Sequence, residues 1–129
     1  MTQDEAIEKL KDHVTEKHNE FVEYLQMIRD IIDSADVSNE LKKKVFAFID
    51  DTSITESEYI DEKIHHIETK DSEMLEIFPD KEKFTNLLMK TIDTDFDLFK
   101  SQLKMVSSLF GNITEIQKTV TERILNIFK

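Results

Sequence analysis

The sequence contains no cysteine, one glycine and one proline. Without cysteine there is no disulfide framework, thiolate metal site or cysteine nucleophile, and the composition fits a reducing compartment. Hairpins and tight turns use glycine and proline heavily, so this composition excludes a fold built on many sharp turns. A single glycine also excludes glycine-rich phosphate loops and the Gly-x-Ser-x-Gly nucleophile motif.

The sequence also lacks a long apolar run. The first five residues are polar or acidic after Met1, whereas a secretory signal needs a basic start and an apolar run of about 7–15 residues. The longest strongly apolar run, residues 45–49, is far shorter than the ~18 residues that a membrane-spanning helix needs. We therefore expect a cytoplasmic protein without a transmembrane segment.

Charge of one sign is abundant. The 129 residues include 28 acids and 17 bases, a net charge of −11 at pH 7. The excess is uneven, because residues 1–80 carry 22 acids and 9 bases (−13) and residues 81–129 carry 6 acids and 8 bases (+2). A protein of this sign repels nucleic-acid phosphates, so we expect no direct nucleic-acid partner. The length indicates a single domain over 1–129.

Apolar residues recur at spacings of three and four, which is typical of amphipathic helices. Links between the apolar stripes are short, and short links favour antiparallel neighbours. The pattern therefore predicts an all-α fold, an antiparallel up-down bundle of four to five helices. The predicted helices are 3–33, 38–50, 55–78, 80–110 and 112–128.

Local cap signals set most of these boundaries. Thr2 with Glu5, and Asn112 with Glu115, fit the capping box, in which a side chain at each end satisfies a free backbone amide. Ser38 and Asp80 are good N-cap residues for the helices that follow them. Gly111 suits a left-handed C-terminal cap for the fourth helix.

The segment 50–55 has two interpretations. Ser53 with Glu56, and Thr55 with Glu58, both fit capping boxes and predict that a new helix begins there. The alternative is one continuous helix through this point, because the apolar positions on either side of it stay roughly in phase. Pro79 disfavours helix at Phe78, so the segment ends there in both interpretations.

Two motifs hint at metal binding. Asp93, Asp95 and Asp97 resemble the start of a calcium loop, but Leu98 and Lys104 occupy the positions that require Gly and Glu. Glu62 and His65 match the Glu-x-x-His spacing of di-iron bundles, which need a second such motif that this sequence lacks. We expect no cofactor. The weak metal candidates are Glu62, His65 and His66.

The acidic stretch between 56 and 76 has a narrow apolar stripe, so we expect one side of it to face solvent. Together with the lack of catalytic motifs, this indicates a non-enzymatic, acidic protein-interaction module. An inhibitor, an immunity or antitoxin-like protein, or a dedicated chaperone that engages a basic protein surface would have these features. The candidate partner-binding residues are Glu56, Glu58, Asp61, Glu62, Glu68, Asp71, Glu73 and Glu76.

Other functions remain open at this point. The chain is alternatively a structural or self-associating helical protein, whose apolar stripes are completed by another copy. A second alternative is a metal-binding bundle centred on Glu62, His65 and His66. We expect the C-terminal helix, 112–128, to complete the bundle core, with docking on a partner or membrane surface as the alternative.

Overall fold

A computed structural model describes residues 1–106 and 115–129, with the side chains of residues 115–118 excluded. These residues confirm the all-α prediction. The helices are α1 (Gln3–Asp33), α2 (Asn39–His66), α3 (Ser72–Ile77), α4 (Lys81–Lys104) and α5 (Glu115–Ile127), and a π-helical turn (Ile67–Asp71) joins α2 to α3. None of the helices in the described part of the chain is both long and apolar enough to cross a membrane.

The predicted N-terminal caps form. The Thr2 hydroxyl accepts a hydrogen bond from the amide of Glu5 at 3.1 Å, and the Glu5 carboxylate accepts one from the amide of Thr2 at 3.4 Å. The Ser38 hydroxyl and the Asp80 carboxylate cap α2 and α4 through bonds of 3.2 and 3.0 Å. These side chains satisfy amides that have no partner within the helix, and each cap stabilises by about 1 kcal/mol.

The long helices α1, α2 and α4 alternate in direction along the chain. α1 and α2–α3 run in opposite directions. Gln3, at the start of α1, bonds Ser72 in α3, whereas His18, further along α1, bonds Glu56, which comes earlier in the chain than Ser72. α1 runs in the same direction as α4, where the Glu20 carboxylate lies 2.7 Å from the ammonium of Lys100. α1 therefore packs against both other long helices, and these two also contact each other.

The C-terminal helix completes the core, as expected. α5 packs against α1, and its Val120 and Ile124 side chains are buried. The predicted end of the fourth helix at 110, the Gly111 cap and the capping box of Asn112 lie outside the described residues.

The segment 50–55 is helical throughout, so the predicted break there is wrong and the continuous alternative is confirmed. The Thr52 and Thr55 hydroxyls donate to the carbonyls four residues earlier, each at 3.0 Å. Glu56 is buried and bonds His18 on α1 instead of the amide of Ser53. The local caps form only if the helix breaks, and the packing of α2 on α1 stabilises the unbroken helix.

The π-helical turn adjusts the register of the buried stripe on α2–α3. The first and last of nine buried or half-buried positions are 30 residues apart, so the eight steps between them average 3.75 residues. One turn of an α-helix has 3.6 residues. With one residue removed, 29 residues over the same eight steps average 3.63, which matches a regular helix. The turn thus accommodates one extra residue. The nine positions are Val45, Ile49, Thr52, Glu56, Ile60, Ile64, Ile67, Asp71 and Leu75.

Deleting the exposed Lys70 from this turn is expected to leave the fold intact. The turn becomes regular helix and Leu75 stays in the core, so we expect the free energy of unfolding to change by less than about 1 kcal/mol. Deleting the exposed Asp61 from the regular part of α2 is the matched control, because it rotates the core residues Ile64 and Ile67, which precede or begin the turn, by about 100°. That control is expected to cost more than about 3 kcal/mol in urea unfolding. Equal losses for the two deletions would contradict the one-residue interpretation.

Candidate functional site

The antiparallel packing of α1 on α2–α3 brings two acidic stretches to one end of the bundle. Three contacts hold them side by side: Gln3 Nε2 donates to the Ser72 carbonyl at 2.8 Å, Lys11 lies 3.2 Å from Glu68, and His18 bonds Glu56. Residues 3–18 carry 5 acids and 3 bases, and residues 56–76 carry 8 acids and 2 bases. These two stretches, which form the acidic end, therefore carry a net charge of −8, out of −11 for the chain.

Most of the predicted partner-binding residues lie on the solvent side of this end. Two do not, because Glu56 is 1% exposed and Asp71 is 4% exposed. Both lie on the buried stripe of α2–α3 and contact histidines. The remaining six form what we call the acidic face: Glu58, Asp61, Glu62, Glu68, Glu73 and Glu76, all exposed.

The acidic face has little compensating positive charge. Glu68 pairs with Lys11, and the other five carboxylates of the face make no ion pair with any residue in 1–106 or 119–129. Exposed carboxylates without cations beside them produce a negative potential that extends about a Debye length, near 10 Å at 0.1 M salt. A positively charged surface is therefore attracted to this side of the molecule.

A second row of carboxylates lies on the outer face of α1. It lines a shallow groove of about 630 Å³, to which Met89 of α4 contributes an apolar side chain. The excess of acids over residues 1–80 is visible in the sequence, but it does not single out this row. Its signal is the spacing of three and four residues, which places side chains on one helix face. The row is Asp4, Glu5, Glu8, Asp12 and Glu16.

On the inner side of the acidic end, Glu56 is buried between α1 and α2 and bonds His18, which is one-third exposed. Burial raises the pKa of the Glu56 carboxyl, and the hydrogen bond and charge of His18 oppose that rise in part. A carboxylate in this position is costly without its partner. The pair therefore ties the two acidic stretches together instead of facing a binding partner.

The metal candidates do not converge. His66 Nδ1 lies 3.3 Å from Asp71 Oδ1 across the π-helical turn, and among the described residues Asp71 Oδ2 has no hydrogen-bond partner. In the described part of the chain, no three His, Asp or Glu side chains come together as metal ligands. Glu62 and His66 line one cavity of about 210 Å³, and His65 is not among its lining residues.

The three aspartates of the calcium-like motif point to different partners. Asp93 lies 2.6 Å from His13 on α1, and Asp95 accepts a hydrogen bond of 2.6 Å from the Tyr59 hydroxyl on α2. Burial, with the Asp95 bond and charge, raises the pKa of Tyr59 above its usual value and keeps the phenol neutral. Asp97 is exposed. These residues connect helices and do not form an ion cage.

A further ion pair connects α1 to α4. The hydrogen bond from Lys100 holds the pKa of Glu20 below its ordinary value, against the opposing effect of burial. Burial alone would lower the pKa of Lys100, but the bond and charge of Glu20 outweigh it and raise that pKa. Both groups therefore remain charged at neutral pH.

No family model, curated protein or solved structure matches this chain.

Proposed function

We propose that the chain is a non-enzymatic protein-interaction module whose acidic end binds a basic surface on a partner protein. The observation that carries this proposal is the convergence of residues 3–18 and 56–76, which concentrates a net −8 at one end of the bundle. An inhibitor, an immunity or antitoxin-like protein, or a dedicated chaperone in the cytoplasm would use such a surface.

The chemistry of the acidic end favours binding over catalysis. Its exposed carboxylates lie on helix faces, and those of the acidic face other than Glu68 have no ion pair with a described residue. The buried Glu56 and its partner His18 join two helices, and the groove on α1 is shallow and lined mainly by acids. Complementary charge of this kind mainly accelerates association and selects partners.

The partner is expected to present Lys or Arg along a strip that follows the acidic face. From Glu58 to Glu76 the face spans 18 residues, or about 27 Å at 1.5 Å per residue. That length suits a basic helix or a row of basic side chains on a folded domain.

Neutralising three acids of the acidic face tests the proposal. The variant replaces Glu58, Glu62 and Glu73 with glutamine. Its matched control removes three exposed acids nearer the other end of α1, through Glu23→Gln, Asp33→Asn and Asp36→Asn. A partner is first captured from the source cell at low salt and identified by mass spectrometry. We expect the acidic-face variant to associate with that purified partner about tenfold more slowly at low salt, and the control to be nearly unchanged.

Salt provides the second readout. The association rate with wild-type protein is expected to fall steeply as ionic strength rises, because surface charges are screened beyond a Debye length. Association that is indifferent to salt would show that charge does not drive the binding. An equal fall in the two variants would show that net charge rather than the acidic face is responsible. A failure to capture any partner at low salt would count against the proposal itself.

A further inference from the structure

The outer face of α4 carries an uncharged stripe. Leu87, Thr91, Thr94 and Leu98 follow one another at steps of four, three and four residues, and all four are exposed. Leu87 is 50% exposed and Leu98 is 62% exposed, although leucine is among the residues that proteins most often bury. Steps of four and three are the spacing with which one helix packs along another.

The two threonines make this stripe more apolar than its composition suggests. The Thr91 hydroxyl donates to the Leu87 carbonyl at 3.2 Å, and the Thr94 hydroxyl donates to the Lys90 carbonyl at 3.0 Å. With their hydroxyls bonded to their own helix, the threonines offer methyl groups to a neighbour.

The stripe reads the same in both directions. A leucine is followed by a threonine after four residues, a second threonine after three more and a second leucine after another four, so the order and spacing are palindromic. An antiparallel helix from a second copy, related by a two-fold axis between Thr91 and Thr94, therefore presents its own stripe in register. Leu87 then lies opposite Leu98 of the second copy, which is the self-complementary contact of a two-fold dimer.

The charges beside the stripe complement one another in the same arrangement. Lys90 and Asp97 lie two turns apart on one flank, and neither makes an ion pair with a residue that the structure describes. In the antiparallel register, Lys90 is about 3 Å along the helix axis from Asp97 of the second copy, and the two-fold axis repeats the pair. Beyond the ends of the stripe, Lys83 of one copy would approach Lys104 of the other. Repulsion between these like charges limits the contact to the stripe.

We infer that the stripe of Leu87, Thr91, Thr94 and Leu98 binds the same stripe of a second copy, forming an antiparallel two-fold dimer. The stripe belongs to residues 81–129, where the net charge is +2, but it lies at the level of α1 residues 7–18, since His13 contacts Asp93 and Glu20 contacts Lys100. The dimer therefore places the two acidic ends at the same level, and their repulsion is expected to weaken it at low salt. Three turns of helix bury less than the ~800 Å² per partner of a standard interface. The dimer is therefore reversible, with a dissociation constant on the order of 100 µM.

Sedimentation velocity of the full chain tests the dimer between about 10 µM and about 1 mM, on either side of the expected dissociation constant. Leu98→Glu is expected to weaken association at least tenfold because it places a charge opposite Leu87. Ile54→Glu is the matched control, since Ile54 is 58% exposed on α2 and lies outside the stripe. A wild-type chain that stays monomeric at every concentration, or equal weakening by both variants, would overturn the inference.

A charge swap tests the antiparallel register. Lys90→Asp and Asp97→Lys each create two like-charge contacts across the two-fold axis, so each is expected to weaken the dimer. The double variant restores opposite charges and is expected to recover the wild-type dissociation constant. In a parallel pairing Asp97 would face Gln102 instead, so an unchanged dimer in Asp97→Lys, or no recovery in the double variant, would show the register to be wrong.

Discussion

Replacing Phe96 with alanine is expected to lower the free energy of unfolding by about 4 kcal/mol. Phe96 is 1% exposed and lies where α4 faces α2. The edge of its ring meets Tyr59 at a centroid distance of 5.6 Å and Phe99 at 6.0 Å, and Phe99 contacts Phe21 on α1 at 5.9 Å. Removing the ring leaves a cavity beside Tyr59 and Phe99, in a cluster of aromatic contacts that joins three helices.

Two variants control for this effect. Phe96→Leu keeps most of the volume and is expected to cost about 1 kcal/mol. Phe84→Ala removes an aromatic side chain that is half-buried at the start of α4 and stacked on Phe78 at 4.6 Å, so about 2 kcal/mol is expected because water can enter the space. Urea unfolding followed by circular dichroism measures all three. Equal losses for Phe96→Ala and Phe84→Ala would show that the aromatic cluster is not the centre of the core.

The helix ends that are set by local chemistry were predictable. Residues 3–33 were predicted as the first helix, and α1 has those bounds because the Thr2–Glu5 capping box forms before a long apolar stripe. Ser38 and Asp80 cap α2 and α4 for the same reason. In each case the cap and the stripe that follows it indicate the same helix start.

The segment 50–55 could not be resolved from the sequence, because local and tertiary signals conflict there. The capping boxes of Ser53 and Thr55 form only if the side chains of Glu56 and Glu58 reach back to the backbone amides of those two residues. Glu56 instead lies on the buried stripe, four residues from Thr52 and from Ile60, and bonds His18 on α1. The partner is 38 residues away in sequence, so no local pattern includes it.

The residues of the predicted partner-binding site could be chosen from the sequence, but their arrangement in space could not. Six of its eight proposed residues are exposed, since charged residues on a polar helix usually face water. Asp71 is buried because the extra residue in the π-helical turn places it in line with Ile67 and Leu75. The acidic stretch 56–76 lies beside the acidic stretch of α1 because the two helices pack antiparallel. A count of charges along the sequence does not show that direction.

Replacing His18 with alanine is expected to lower the free energy of unfolding by about 2 kcal/mol at neutral pH. The side chain of Glu56 is 1% exposed, and His18 is the hydrogen-bond partner of its carboxylate among the described residues. Without the imidazole, a buried carboxylate must either remain unpaired or take up a proton. Both cost stability. His13→Ala, next to the half-exposed Asp93, is the matched control and is expected to cost less than about 1 kcal/mol.

The same pair gives the unfolding free energy a defined pH dependence. Burial raises the folded-state pKa of Glu56 above its ordinary value of 4.5, despite the opposing bond and charge of His18. The protonated Glu56 carboxyl therefore makes a favourable contribution to the free energy of unfolding. This contribution is fully present below pH 4.5 and is lost as the pH rises through the folded-state pKa. Glu56→Gln stays neutral and still accepts a bond from His18, so its stability relative to wild type is expected to increase with pH over that range.

Adding His18→Ala makes the test specific to the pair. Loss of the histidine removes the interactions that lower the Glu56 pKa, so the range over which stability declines extends to higher pH in His18→Ala than in wild type. In the double variant with Glu56→Gln this extra decline is expected to disappear, because no carboxylate remains to titrate. Urea unfolding of the four proteins at several pH values gives the coupling between the two residues as a double-mutant cycle. Exposed Glu58→Gln serves as the control, and a Glu56→Gln curve that runs parallel to its curve would show that the buried carboxylate does not govern the pH dependence.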